Sequence, residues 1–120
     1  MAVLAPISSV SYTLYMADVT LASKTYVVID REGVLTAISG ARLTAKGVGA
    51  AAITATRNGT LIAGLTGSVG IGVAGGVDLL VVPKQTHFVA GDVLGIVSAG
   101  GGTGTTPIMW TVQLRTDRPV

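Results

Sequence analysis

The sequence predicts an all-β fold: an antiparallel β-sandwich, jelly-roll-like, with about eight short strands. Three observations support this prediction. Short apolar or alternating runs are separated by turn-forming residues roughly every 8–12 positions, and no long stretch shows the 3.6-residue period of an amphipathic helix. Glycine fills 17 of the 120 positions, which suits a fold with many tight turns and bulges.

The first half of the chain contains three candidate strands. Residues 7–16 alternate in part between apolar and polar side chains, and we expect a strand or an extended arm there. A β-branched run at 25–30 and a longer run at 34–44 stand on either side of a turn. In the longer run, alternate residues are expected to share one face of the strand: Leu35, Ala37, Ser39, Ala41 and Leu43.

A β-hairpin is predicted around the pair Asn58-Gly59. The pair stands between the runs ITATR and TLIAG. Asn-Gly is the strongest short hairpin signal because both central residues of a type I′ turn need a positive φ. We therefore expect two antiparallel strands joined by a two-residue turn.

Three further strands are predicted in the second half. The run VDLLVVP at 77–83 predicts a continuous buried strand that ends at its proline. Residues 93–98 form another apolar run, and the run PIMWTVQLR at 107–115 alternates between apolar and polar side chains. Trp110 occupies the apolar phase of that last run, so we expect it in the core.

Most of the chain is predicted to form one domain. We expect an N-terminal arm or edge strand at 1–24, a β-sandwich domain at 25–116 and a short tail at 117–120. The first residues carry no basic group before Pro6 and do not resemble a secretory signal peptide. The chain has no cysteine, which excludes disulfides, thiolate catalysis and cysteine metal sites.

Charge is scarce throughout the chain. Only 12% of residues are charged, where roughly 25% is usual, and the mean hydropathy is +0.68. Eight basic and six acidic residues give a net charge of +2. The basic residues are scattered, so no nucleic-acid-binding stripe is predicted. So thin a cover of charge indicates a surface that is buried against other subunits or in a membrane.

The membrane alternative depends on residues 58–77, which carry no charge over a length close to that of a bilayer span. Against it stand seven glycines and four polar side chains in the same segment, and the hairpin signal at its start. Glycine costs about 1 kcal/mol per residue in a helix. We therefore favour a glycine-rich strand pair buried at a subunit interface, with no membrane partner.

Three glycine clusters look like cofactor motifs but lack the required context. The loop GGGTGTT at 100–106 has no lysine and leads into a strand, whereas a phosphate-binding loop needs a lysine and a following helix. The clusters GIGVAG at 70–75 and GVGAAA at 47–52 are not followed by a predicted helix, which a dinucleotide site needs. We predict no cofactor, and we interpret loop 100–106 as slack between two strands.

Catalytic and metal-binding constellations are also missing from the sequence. His87 is the only histidine, and we expect it in a loop beside Phe88. No serine stands in a G-x-S-x-G motif, and the carboxylates are mostly solitary. We expect Asp92 to accept backbone hydrogen bonds at a turn. The sequence therefore predicts no enzyme and no metal site.

Two groups of residues are candidates for subunit contact. Tyr12 and Tyr15 have opposite parity in the N-terminal segment, so at least one of them is expected to face outward. Gly101, Gly102 and Thr103 lie in the long loop before the last strand, where the chain can touch a neighbour.

Three stretches carry a resemblance to a known family. They are the hairpin ITATRNGTLI, the segment FVAGDVLGIVSAGGGTGTT and the closing run WTVQLR. From about Val27 to Arg115, the layout resembles the small jelly-roll cement (decoration) proteins of tailed-bacteriophage capsids. The glycine-rich segment 64–76 departs from many such proteins.

The resemblance implies a non-enzymatic structural protein of the virion. Such a subunit is made in the host cytoplasm, binds the outer surface of an icosahedral capsid and bridges neighbouring copies of the major capsid protein. It implies a homo-oligomer, with a trimer favoured over a dimer. The alternative left open is a receptor- or glycan-binding head of a phage fibre or tail, although the sequence shows no shaft repeats.

Overall fold

The computed structural model describes residues 9–83 and 86–116. It confirms the all-β prediction, with ten strands among these residues instead of about eight. Residues 1–8, which include part of the predicted strand 7–16, and the predicted tail 117–120 lie outside the described residues. The strands are β1 (Ser9–Met16), β2 (Ser23–Val28), β3 (Gly33–Arg42), β4 (Ala51–Arg57), β5 (Thr60–Leu61), β6 (Gly67–Val69), β7 (Val77–Leu79), β8 (Thr86–Phe88), β9 (Val93–Ser98) and β10 (Ile108–Arg115).

Two antiparallel sheets face each other with the strand order of a jelly roll. Sheet A has the order β1-β10-β3-β7, with β8 also paired to β3. Sheet B has the order β2-β9-β4-β5, with β6 also paired to β4. The pairing is nested, since β1 joins β10, β2 joins β9 and β3 joins β7 and β8. The chain is thus one long antiparallel ribbon wrapped into a sandwich.

The core lies between the two sheets and is filled by alternate residues of each strand. On β10 the predicted alternation is confirmed, with the side chains of Ile108, Trp110, Val112 and Leu114 all buried. Trp110 lies over Gly40 of β3, where a Cβ atom would come within 2.6 Å of the indole ring. Other large buried side chains come from both sheets and their connections: Leu14, Ile29, Ile38, Ile53, Phe88, Leu94 and Ile96.

A β-bulge changes the facing of β3. Leu35 pairs with Leu114 and Ala37 with Gln113, so Thr36 is an extra residue without its own partner. Leu35 is therefore buried, whereas Val34 before the bulge and Ala37 after it face outward. The prediction that alternate residues from Leu35 to Leu43 share one face is wrong at Leu35. The Thr36 hydroxyl donates a hydrogen bond to the Gln113 carbonyl, 3.1 Å away, which holds the bulge.

The predicted Asn58-Gly59 hairpin is confirmed. Both residues have positive φ, 52° and 83°, as a type I′ turn requires. The Asn58 side chain donates to Asp92 (2.9 Å) and accepts from the Val93 amide (2.8 Å). Asp92 also accepts from the Val89 amide at 2.9 Å, as predicted for this turn. The hairpin tip is thereby fastened to the start of β9.

The predicted buried strand at 77–83 is wrong. Only Val77–Leu79 forms a strand, and it is an edge strand of sheet A with both terminal side chains exposed. A continuous apolar run indicates a buried strand only when both faces are covered, and here only the core side is covered. His87 was expected in a loop, but it is the central residue of strand β8 and is exposed.

The uncharged segment 58–77 is mostly turns and short strands. It contains β5, β6 and the first residue of β7, and Leu61, Ile71 and Val73 are exposed in the single chain. Burial of this segment at a subunit interface stays a prediction, because it would need a second chain. Within residues 9–83 and 86–116, no helix is long and apolar enough to cross a membrane.

Candidate docking surface

The outer face of sheet A is almost free of charge. Side chains that face the core alternate with side chains that face away from it, and the outward set is small, hydroxylic or apolar. In the described part of the chain, Arg115 is the only charged residue on this face, at the end where His87 also lies. The outward residues are Ser9, Ser11, Thr13, Tyr15, Val34, Ala37, Ser39, Ala41, Val77, Leu79, His87, Met109, Thr111, Gln113 and Arg115.

Five of these residues form an apolar patch across four strands. The strand registers place Tyr15, Met109, Ala41 and Val77 side by side in one row. Leu79, which is 72% exposed, stands in the next row opposite Ser39. We call these five residues the outer apolar patch. Such a patch on a flat sheet is typical of a surface that another protein covers.

The two candidate tyrosines lie on opposite sides of β1. The ring of Tyr12 packs against the core, and its hydroxyl donates a hydrogen bond to the Asp30 carboxylate. Burial is the first cause that raises the pKa of this phenol above its ordinary value, and the bond to Asp30 is the second. Tyr15 points outward and is more than half exposed. Tyr15 is therefore the member of the pair that is available for contact.

The glycine loop 100–106 packs closely against the rest of the protein. A Cβ atom on Gly101 would collide with the Ala50 carbonyl, and one on Gly102 would collide with the Lys46 ammonium. Both residues also have φ between +90° and +140°, where other residues are strained. The interpretation of this loop as slack is therefore wrong, because the glycines are required by close approach. Thr103 is exposed at the surface of the loop.

Lys46 explains the glycine at position 102. Its side chain is almost completely buried, and its ammonium donates to the Gly49 carbonyl. The Lys46 backbone pairs with Gly72, so the same residue also joins the other glycine-rich segment. Lysine is rarely buried without a partner. Here the Gly49 carbonyl is the partner, and Gly102 leaves space for the long side chain.

Asp18 clamps the start of β10 to the connection between β1 and β2. Its carboxylate accepts bonds from the Thr20 hydroxyl (2.6 Å), the Thr20 amide (3.0 Å) and the Thr106 amide (3.1 Å). These bonds, led by that from the Thr20 hydroxyl, hold the pKa of Asp18 below its ordinary value of 3.8. Hydrogen bonds from the Val89 amide and the Asn58 side chain likewise hold the pKa of Asp92 below its ordinary value.

We expect stability to fall on acidification below about pH 4. The folded protein binds protons to Asp18 and Asp92 less readily than the unfolded chain, so their stabilisation is present above pH 3.8 and is lost as pH falls through the folded pKa values. The urea midpoint measured from pH 6 to pH 2 tests this. Asp18→Asn should flatten the decline, and an unchanged decline in that variant would show that Asp18 does not contribute.

Polar side chains meet at one cleft, at the hairpin end of the sandwich. The cleft has a volume of about 450 Å³ and is lined by residues of the β4–β5 hairpin and of β8. Arg57 donates to the His87 carbonyl at 2.8 Å and so spans the two strands. Within the described residues, no three histidine, aspartate or glutamate side chains gather into a metal-binding group.

Comparison with protein-family models, curated proteins and solved structures finds no match to this chain. The fold and its surfaces are therefore the basis for assigning a function. Tyr15 was predicted from the sequence as a contact residue. The other members of the outer apolar patch were not: Ala41, Val77, Leu79 and Met109. The alternation of apolar and polar residues in Val77, Asp78 and Leu79 could have predicted the exposure of Val77 and Leu79, because a strand with one solvated face alternates between apolar and polar side chains.

Proposed function

We propose that this protein is a non-enzymatic structural subunit of a phage virion. It binds the outer surface of an icosahedral capsid and bridges neighbouring copies of the major capsid protein, as a homo-oligomer. Two arguments support the proposal: the resemblance of its hairpin, glycine loop and closing strand to capsid cement proteins, and the outer apolar patch. The proposal depends mainly on the patch, because an exposed apolar surface without catalytic groups is typical of a contact with another protein.

The chemistry of the outer face of sheet A suits adhesion to another protein. Burial of charged groups is costly unless each is paired. Among the described residues of this face, only Arg115 is charged. Its hydroxyl-bearing serine and threonine side chains are small, and burial of its apolar side chains away from water is favourable. Contact with a coat protein would therefore cost little desolvation of charge.

The size of this face favours many weak contacts over one strong contact. Strands spaced about 4.8 Å apart with a rise of about 3.3 Å per residue give roughly 500 Å² for the three long strands of sheet A together with the short strands β7 and β8. A stable protein interface buries about 800 Å² per partner. A single copy would thus bind weakly, but a capsid offers many equivalent sites, and linked copies gain from multivalency.

The proposal predicts that a charge in the outer apolar patch weakens capsid binding. Leu79→Lys should lower the affinity for capsids stripped of this protein at least about tenfold, or 1.4 kcal/mol, since the ammonium would be buried unpaired. Leu61→Lys is the matched control, because Leu61 is 58% exposed on sheet B. Co-sedimentation with stripped capsids gives both affinities.

The cement role itself is tested by the thermal stability of the particle. Decorated capsids should disrupt at a higher temperature than stripped capsids, and added wild-type protein should restore that temperature. Equal disruption temperatures, or equal binding of the Leu79→Lys and Leu61→Lys variants, would contradict the proposal.

A second candidate is a receptor- or glycan-binding head, and the cleft beside the hairpin favours it. Arg57, Asn58 and His87 bring donors and acceptors to a concave surface at one apex. Polar groups in a cleft with some apolar lining are typical of small-ligand sites. Sugar binding by the isolated protein, together with unchanged particle stability, would favour this candidate.

A further inference from the structure

The edge of β1 differs from every other strand edge of the sandwich. Among the described residues, β1 pairs on one side only, with β10, through all eight of its residues. Hydrogen-bonded and non-hydrogen-bonded pairs alternate along an antiparallel ladder, so about half of its residues direct both N–H and C=O away from β10. The strand SVSYTLYM contains no charge, glycine or proline.

The other edges carry the features that prevent strand addition. Strands β5, β6, β7 and β8 are only two or three residues long. Strand β2 has six residues but places Lys24 on its exposed side. Short strands and lysine are the usual means by which proteins block edge-to-edge pairing. Among the edge strands of residues 9–83 and 86–116, only β1 is both long and unprotected.

We propose that the free edge of β1 pairs with β1 of a second copy, antiparallel across a two-fold axis. Residues directly opposite each other in an antiparallel pair have their side chains on the same face of the sheet. The two-fold axis must therefore pass between one residue and the same residue of the second copy. The central candidates are Tyr12 and Thr13. The two sheets A then become one continuous sheet, and the assembly unit is a dimer instead of the trimer that the resemblance favours.

The outward side chains of β1 are self-complementary in both registers. With Tyr12 on the axis, Ser11 lies opposite Thr13 of the second copy. With Thr13 on the axis, Thr13 lies opposite itself and Ser11 lies opposite Tyr15. Serine–threonine and threonine–threonine pairs across strands are favourable, and neither register opposes two charges.

The dimer also enlarges the docking face. Two outer faces of roughly 500 Å² each become one face of roughly 1,000 Å², above the size of one side of a stable interface. The two outer apolar patches then lie on the same face of the continuous sheet, one on each side of the axis. The larger docking face rests on the proposed function, but the dimer itself does not.

Light scattering on the purified protein tests the dimer without any capsid. We expect a mass of twice 12.0 kDa. Thr13→Lys should raise the dimer dissociation constant at least about tenfold, because the two lysines then lie directly or diagonally opposite each other across the axis. Gln113→Lys is the matched control: it places the same charge on the same face one strand further in, and it should leave the dimer intact.

Cross-linking provides a second measurement that reports the register. The natural chain has no cysteine, so a single introduced thiol is specific. Either Thr13→Cys alone or a mixture of Ser11→Cys and Thr13→Cys should give a disulfide dimer, since directly opposite Cα atoms lie about 4.5–5.5 Å apart. Gln113→Cys should not. Far-ultraviolet circular dichroism checks that each variant is folded.

Several results would overturn the proposal. A monomer, a trimer, or a dimer that Thr13→Lys leaves intact would each do so, as would equal cross-linking through Gln113→Cys. If the purified protein is a monomer and Thr13→Lys abolishes capsid binding, the β1 edge belongs to the coat protein and not to a second copy. Failure of capsid binding with an intact dimer would remove the proposed function and leave this inference standing.

Discussion

Trp110→Ala should lower the free energy of unfolding by about 3–5 kcal/mol, the usual cost of truncating a large buried aromatic. Small domains are stable by about 5–15 kcal/mol in total, so a large part of the variant is expected to be unfolded at 37 °C. Trp110 has no exposed surface and lies on β10, the strand between β1 and β3. Its ring fills the space over Gly40, and alanine would leave a cavity there.

Trp110→Phe should cost much less than Trp110→Ala. Among the described residues, the buried Nε1 of Trp110 has no hydrogen-bond acceptor, and an unsatisfied buried donor costs about 1–3 kcal/mol. Phenylalanine removes that donor while it keeps most of the apolar volume. The gain offsets part of the lost packing.

Urea unfolding followed by far-ultraviolet circular dichroism measures both variants, since Trp110 is the only tryptophan and its fluorescence is lost with it. Met109→Ala is the matched control, because Met109 is the next residue on β10 and faces outward. Its cost should stay below about 1 kcal/mol. Equal losses for Trp110→Ala and Met109→Ala would show that Trp110 does not fill the core.

Local signals in the sequence predicted a large part of this fold. The Asn58-Gly59 turn follows from turn chemistry, the strand 93–98 from an apolar run and the strand 107–115 from side-chain alternation, all of which depend on neighbouring residues alone. Trp110 was placed in the core by the same alternation.

Features that depend on partner strands were not predictable in this way. The bulge at Thr36 exists because of its register with β10, so the facing of Leu35 could not be read from β3 alone. The exposure of Val77 and Leu79 follows from the edge position of β7 in sheet A. Composition showed only that apolar residues were there.

The candidate site was predictable in part for the same reason. Tyr15 was selected because alternation within β1 depends on that strand alone. The rest of the outer apolar patch comes from β3, β7 and β10, which meet only through the nested pairing. The tight packing of Gly102 depends on Lys46, a residue remote in the sequence.

Asp78→Ala should lower the free energy of unfolding by about 3 kcal/mol, the lower end of the cost of removing one partner of a buried ion pair. The Arg42 side chain is only 9% exposed and forms an ion pair with Asp78, which is 22% exposed. Without Asp78, the Arg42 guanidinium would keep a 3.4 Å contact to the Val73 carbonyl and, among the described residues, no carboxylate within ion-pair distance.

The same ion pair organises the glycine-rich segment before β7. The Arg42 amide donates to the Gly76 carbonyl at 2.9 Å, and the Gly75 amide donates to the Arg42 carbonyl at 2.7 Å. A Cβ atom on Gly72 or Gly76 would collide with the guanidinium. The segment therefore wraps around Arg42, and loss of Asp78 should loosen β7 together with Val77 and Leu79.

Two variants separate the charge effect from a general loss of packing. The double variant Arg42→Met with Asp78→Leu should be more stable than Asp78→Ala, because no charge remains buried alone. Arg31→Ala removes an exposed ion pair with Asp30 and should leave the stability almost unchanged, because water screens such a pair.

Capsid binding supplies the functional measurement for the same variants. Asp78 faces away from the proposed docking surface, but its neighbours Val77 and Leu79 belong to the outer apolar patch. Asp78→Ala should therefore weaken binding to stripped capsids at temperatures where the protein is still folded, and the double variant should recover part of that binding. If Asp78→Ala is as stable as Arg31→Ala, the ion pair does not hold β7. If it is unstable but binds normally, the capsid does not contact this end of sheet A.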